Sequence, residues 1–425
     1  MIFTQNLQLN ALQFFSRCVS ELKNNQGKIA VVSSNHQAYG NDIREDPRFQ
    51  FCKKLARVNY KEVSVVLTLK NHTRINSLYD EIEKINKKPG CISGVHIVLD
   101  EIHQSLDSTN KKDTDKISTR QLIERLCSLK IVASVVGMSA TPSHLWKSKD
   151  PLGDWSEIKQ SLFTDPGLGD GSNYYPLKDM KYTPICEFQY NKLQGTDIAT
   201  QFIETVLERH PNILVDGARI FAPGLVYKAS HNGIRDLFHR LRWDALVCII
   251  NGSEKSLVYY ESEADRDSGQ LGCHCDLTNY SKGLKELNEV IGEVMVDYDL
   301  LERPLVITGK LCISIGCTLL NETYGNFTAG IFHPQMANAS RDSTYQLLGR
   351  LSSRSKHWST WNETTIYTHP EIMRIALGME RAAANAIKHT NKSLSEEAYL
   401  KPCKDFIKSE IEKEKAEKAT SEPKK

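Results

Sequence analysis

Short apolar runs recur along this chain, each of strand length and most followed by helical spacing. Lys28-Ile29-Ala30-Val31-Val32, Val63-Ser64-Val65-Val66-Leu67-Thr68-Leu69, Gly94-Val95-His96-Ile97-Val98-Leu99 and Ile131-Val132-Ala133-Ser134-Val135-Val136-Gly137 are rich in β-branched residues. Residues 71–85 and the stretch that starts at Gln121-Leu122-Ile123-Glu124-Arg125-Leu126 have helical periodicity. A strand, a helix and a second strand in that order close with a right-handed crossover, so the alternation predicts an α/β fold with a mostly parallel sheet. Residues 1–26 read as a helix on the apolar face of Leu7, Leu9, Leu12, Phe14, Phe15, Val19 and Leu22. Residues 36–54 and 107–116 read as polar connections.

Residues 144–195 break this rhythm. Asp150-Pro151-Leu152-Gly153-Asp154 and Asp165-Pro166-Gly167-Leu168-Gly169-Asp170-Gly171 are turn sequences. Tyr174, Tyr175 and Tyr182 allow two readings, stacking on bases or packing of a loop-rich segment, and packing is the more economical. The rhythm then resumes, with helices over 196–209, 231–241 and 284–294 and strands over 218–222, 245–250, 304–309 and 329–332. A further helix starts over 344–351. Four segments follow: an α/β lobe over 1–143, a connection or insertion over 144–195, a second α/β lobe over 196–375, and a helical, charged tail over 376–425. The dense Lys and Glu of 401–425 read as a solvated, frayed end.

With 54 Lys and Arg against 52 Asp and Glu, the net charge of +2 excludes a strongly basic binder of nucleic acid and leaves room for a local basic groove. The 11 scattered cysteines suit reduced thiols inside a cell. No apolar run has the length of a membrane span and no leader pattern opens the chain, so an intracellular protein, cytoplasmic or nuclear and not secreted, is expected, with no membrane partner. Cys273-His274-Cys275 lacks a second pair of ligands and reads as a loop with incidental thiols rather than a zinc site.

The run 94–99 ends in Asp100-Glu101-Ile102-His103. Ligands of open α/β sheets bind at the carboxyl edge, where one carboxylate can hold Mg²⁺ on nucleotide phosphates and the next can orient an attacking water. A solvated acidic turn is the competing reading. One strand later stands Gly137-Met138-Ser139-Ala140-Thr141-Pro142. Further on come Ile307-Thr308-Gly309-Lys310-Leu311-Cys312-Ile313-Ser314-Ile315-Gly316-Cys317-Thr318 and Gln346-Leu347-Leu348-Gly349-Arg350-Leu351-Ser352-Ser353-Arg354.

In this order the four stretches resemble the DExH-box, S-A-T, fifth and sixth motifs of superfamily 2 helicases, and the turn Ile249-Ile250-Asn251-Gly252 resembles those of large DNA viruses and phages. The resemblance implies two RecA-like lobes and ATP hydrolysis coupled to translocation on, or unwinding of, DNA or RNA. It implies Asp100 as the Mg²⁺ ligand through the nucleotide and Glu101 as the residue polarising water. His103, Ser139, Thr141 and Gln346 would couple nucleotide state to movement. Arg350 and Arg354 would stabilise charge on the phosphates, and Gly316 and Thr318 would lie near the nucleic-acid backbone. For each a structural role competes: a cap or ion pair for His103, a turn for Ser139 and Thr141, an ion pair for Arg350.

One motif of that family is missing. A phosphate loop needs G-x-x-x-x-G-K-[ST], whose backbone N–H groups and lysine cradle the phosphates. Gly27-Lys28 is followed by Ile29 and Gly309-Lys310 by Leu311, and neither has the upstream glycine. The resemblance places that loop ahead of residues 1–26. The first lobe is therefore expected to be N-terminally truncated, without the strand leading into the loop, and the chain to be a fragment or a copy without catalysis. Whether it binds ATP with Mg²⁺ is left open, and a non-catalytic module binding nucleic acid or a protein partner is the alternative. Ile315 stands where related sequences carry Arg. Arg354 falls one place past the usual second arginine, about 100° round a helix.

Overall fold

The structure, a computed structural model, describes residues 2–4, 28–32, 49–59, 63–69, 72–87, 94–99, 119–137, 173–268, 272–280, 285–314, 318–387 and 395–421. The chain divides into two compact units, residues 1–157 with 281–286 and residues 158–280 with 287–425. Both are α/β with mostly parallel sheets, and the second ends in helices, as the alternation of runs leads one to expect. No described helix is long and apolar enough to cross a membrane.

In the first unit the strands are β1 (Ile2–Thr4), β2 (Lys28–Val32), β3 (Phe49–Cys52), β4 (Val63–Leu69), β5 (Val95–Leu99) and β6 (Val132–Gly137). They form one sheet in the order β3-β2-β4-β1-β5-β6, and every pair is parallel. The helices His72–Asn86 and Thr119–Cys127 present Ile75, Leu78 and Ile82, and Leu122, Ile123 and Leu126, to one core with Ala30, Val32, Val66, Ile97 and Leu99. Along β5, Val95, Ile97 and Leu99 are buried while His96 is exposed and Val98 half-buried. Among the described residues the strand is therefore closed on one face and partly open on the other, and His96 Nδ1 lies 2.8 Å from Ser134 Oγ on β6.

Two expectations for this unit are corrected. Residues 2–4 are a strand rather than the start of a helix, and this strand lies inside the sheet, with Ile2 in register with Leu67 on one side and Val98 on the other. An interior strand therefore does precede the acid strand. The remainder of the expected helix, residues 5–26, lies outside the described residues. The polar stretch 36–54 also contains β3, which pairs in parallel with β2 through alternating Phe49 and Phe51.

The second unit holds β7 (Lys181–Pro184), β8 (Arg219–Phe221), β9 (Leu246–Ile250), β10 (Lys255–Tyr259), β11 (Cys273–Asp276), β12 (Leu305–Gly309), β13 (Ala329–Phe332) and β14 (Thr365–Thr368). Their order is β11-β10-β9-β12-β8-β13-β14-β7. The six strands from β9 to β7 are parallel, and β10 runs against both β9 and β11. Every residue of β8, β9, β12 and β13 is buried, as in a parallel sheet covered on both faces. The helices Ile198–Arg209 and Lys228–Leu241 cover one face through Phe202, Ile203, Val206, Ile234, Leu237 and Phe238. The first of these helices is capped by Asp197, which accepts from the N–H groups of Ala199 and Thr200.

Part of the segment 144–195 belongs structurally to this unit. β7 is its edge strand, and Tyr175 N–H donates to the Ser353 carbonyl at 2.7 Å. The half-buried Glu380, on the Pro370–Ile387 helix, accepts through its carboxylate from the N–H groups of Leu177 and Lys178 at 2.8 and 3.0 Å. The chain end is not simply solvated either. On the Glu396–Ser421 helix, Tyr399 and Cys403 are buried, and the Arg381 guanidinium lies 3.9 Å from the centre of the Phe406 ring. The sequence 273–275 is a strand rather than a loop, because β10 supplies it with an antiparallel partner.

Candidate functional site

The first unit brings two of the motif strands together. Leu99 ends β5, Gly137 ends β6, and the two are register partners. The chain thus leaves toward Asp100 and toward Ser139 from neighbouring positions on one edge of the sheet. β1 ends beside them, with Phe3 in register with Leu99. Here the strand order reverses, β2, β3 and β4 lying on one side of β1 and β5 and β6 on the other, which is where open α/β sheets take ligands. Asp100, Glu101, His103, Ser139 and Thr141 themselves lie outside the described residues, as does Gly316.

The second unit places Gln346, Arg350, Arg354 and Thr318. The Arg341–Leu348 helix is capped by Ser340, whose hydroxyl accepts from Ser343 N–H. The helix starts three residues before the expected 344 and stops at Leu348, passing into a tight turn over Gly349–Leu351. Leu351 anchors that turn. It is fully buried and packs so closely on β13 that a Cβ at Gly330 would lie 2.7 Å from its Cδ1. Gln346 is half-buried on the helix and Arg350 half-buried in the turn.

Past Leu351 the backbone is extended, and Ser353 bridges to Tyr175. Arg354 is therefore not on a helix, so the expected 100° offset does not arise. Arg350, Arg354 and Thr318 border one depression of about 510 Å³, together with Glu289, Asn321 and Trp358. The first three come from stretches singled out in the sequence. Glu289, Asn321 and Trp358 come from separate elements, and no local pattern announces them.

Other candidates resolve as structure. Tyr175 is buried against Trp361 at 5.4 Å, and its hydroxyl accepts from Thr364 N–H, so it packs rather than offering a stacking face. Burial pushes the Tyr174 hydroxyl up, with a hydrogen bond to Ser352 opposing it. In β11, Cys273 Sγ donates to Glu261 and His274 lies 3.3 Å from Glu254. Burial, followed by the nearby Glu261 carboxylate, pushes the Cys273 thiol up. Among the described residues, no three ligating side chains gather around a point where a metal ion would fit.

No protein-family model matches this chain, and no curated protein matches it. Among solved structures it is similar to a DUF1998 helicase, MrfA, bound to DNA, with 12% sequence identity and a TM-score of 0.38. The likeness covers 92% of this chain and 50% of that one, so the chain spans about half the length of that protein. A likeness of this size assigns no family.

Proposed function

We propose that this chain is a helicase-like protein of the superfamily 2 type, in which the two α/β units correspond to the two RecA-like lobes and the partner is DNA or RNA. One observation carries the reading. Thr318 from the fifth-motif stretch and Arg350 and Arg354 from the sixth, which are separated in sequence, border a single depression. Two arginines there suit the phosphates of a nucleotide, which they bind through charge-assisted, fork-shaped contacts. In the first unit the acid strand and the S-A-T strand end side by side, as joint action of Asp100, Glu101, His103, Ser139 and Thr141 on a nucleotide with Mg²⁺ requires.

A specific observation favours a second reading, a nucleic-acid-binding module without turnover. β1 occupies an interior position at the reversal of strand order, yet residues 5–26 that follow it contain no glycine. A backbone cradle for phosphates needs glycine for close approach and φ freedom.

Binding of a fluorescent oligonucleotide across a salt series tests what the two readings share. Affinity should fall steeply as salt rises, and an absent or salt-independent interaction would overturn both. Adding a non-hydrolysable ATP analogue with Mg²⁺ separates them. A change in oligonucleotide affinity that Arg350→Ala abolishes supports the motor, and no change supports the module. In the motor, Arg350→Ala should weaken nucleotide binding about tenfold, the weight of one charged hydrogen bond.

A further inference from the structure

β11 ends the second sheet on one side, and no described strand lies beyond it. The strand is short and half-open, with Cys273 and Cys275 half-buried and His274 and Asp276 exposed. Its partner β10 sets Tyr259 opposite Cys273 and Leu257 opposite Cys275. Side chains alternate along a strand, so these four share one face. Burial pushes both thiols up, which keeps them neutral beside the rings. Tyrosines extend the same face. Tyr298, just past the Leu287–Asp297 helix, lies 6.4 Å from the Tyr259 ring and 6.2 Å from the Tyr280 ring. Tyr298 is 52% exposed, so an aromatic face stands open beside an open strand edge.

The surroundings are acidic. Asp276 lies on the strand itself, and Glu261 accepts from Cys273 Sγ at 3.6 Å. Asp297 accepts from the Tyr280 hydroxyl at 2.5 Å, and on the other face Glu254 lies 3.3 Å from His274. The cations of this corner are engaged. Arg266 pairs with Glu263 and Asp267. Arg303 donates to the Tyr260 carbonyl and lies against the Trp243 and Tyr259 rings. Lys255, at the start of β10, acts on Cys312 instead. An open strand edge accepts a further strand, and charge along the edge selects which one. A second copy would bring its own Asp276 and Glu261 against these carboxylates, and a nucleic-acid backbone would bring phosphates. A basic extended chain satisfies edge, charge and ring together.

We propose that the β11 edge docks a lysine- or arginine-rich extended segment of a partner protein, which adds to the second sheet as a further strand. Main-chain hydrogen bonds to β11 hold the segment. Its alternate side chains reach the tyrosine face, where a cation lies over the Tyr298 ring and beside the Asp297 carboxylate.

Fluorescence anisotropy of a labelled peptide of alternating lysine and valine, on the full chain, tests this. It is compared with the peptide carrying glutamate for lysine and with the lysine peptide methylated on alternate backbone nitrogens. The lysine peptide should bind, more weakly as salt rises, and the glutamate peptide should not. Methylation should weaken binding about tenfold, because it removes ladder bonds and keeps the charge. Tyr298→Ala should cost about fivefold, the weight of one ring contact. Asp276→Asn, which keeps the acceptor for Thr278 N–H, should cost about threefold. A lysine peptide that does not bind, or that binds no better than its glutamate or methylated form, overturns the proposal. So does a dimer in sedimentation that Tyr298→Ala dissolves, which would give the edge to a second copy. Oligonucleotide affinity should be the same in both variants and the natural chain; a loss there would give the corner to nucleic acid and overturn the proposal equally.

Discussion

β5 and β12 are both interior parallel strands that run into motif sequences, yet they are closed differently. β5 buries alternate residues, and His96 on its second face is exposed. β12 buries all five, with helices on one face and Phe221, Phe327 and Phe332 clustered on the other face of its neighbours. A strand closed on both sides has no slack: its backbone is fixed by neighbours and its side chains by two packed layers. A strand closed on one side transmits only half of that constraint. The second unit should therefore respond more sharply than the first to equivalent changes.

The largest effect is expected at Gly309. Its φ is +155°, and a Cβ there would lie 2.2 Å from the carbonyl oxygen of Ile250, on the interior neighbour β9. Gly309→Ala should cost the second unit about 3–5 kcal/mol or prevent its folding, read by chemical denaturation. Next come Ile249→Ala in β9 and Ile97→Ala in β5, at 0% and 1% exposure. Each should cost about 2–5 kcal/mol, with Ile249 toward the upper end because neither face can relax into the void. Equal losses would break the contrast between the units.

A smaller effect concerns pH. Burial raises the Glu380 carboxyl above its ordinary value, against the N–H groups of Leu177 and Lys178, which lower it. Between the ordinary and the raised value the folded chain holds a proton that the unfolded chain has lost. Stability of the second unit therefore falls as pH rises through that window and is level above it, insofar as Glu380 contributes. Comparing melting temperature against pH for the natural chain and Glu380→Gln isolates this slope, which the variant should lack. Smallest of all is His96→Ala on the open face of β5, expected within about 0.5 kcal/mol. A loss above about 1 kcal/mol would show that this face is covered after all.

Strands with a strong local signal were legible. Residues 28–32, 63–69 and 329–332 form strands over the stretches read from their β-branched and apolar content. What escaped are strands whose identity depends on a partner. β11 is polar and half-exposed, and it exists because β10 lies against it. β1, β3, β7 and β14 are three or four residues long and, unlike the equally short β13, mix polar residues into the run. The site divides in the same way. Arg350 and Thr318 stood inside recognisable stretches, whereas Trp358 and Glu289 share their depression only through folding. Lys310 drew notice as a failed phosphate-loop pair; its shielding from water is a property of the strands around it.

The place of β1 also has a consequence in time. It is the hydrogen-bonded link between β4 and β5, so among the described strands the halves β3-β2-β4 and β5-β6 pair with each other through the three residues of β1. During synthesis Ile2 leaves the ribosome ahead of its partner Val98, which follows nearly a hundred residues later. Until then the early strands present an unsatisfied edge, and closing the sheet means recapturing a distant segment, which is slow in chains dominated by long-range pairing. A bulky fusion at the amino end would act on this step, delaying closure of the first sheet without touching a single residue of its core.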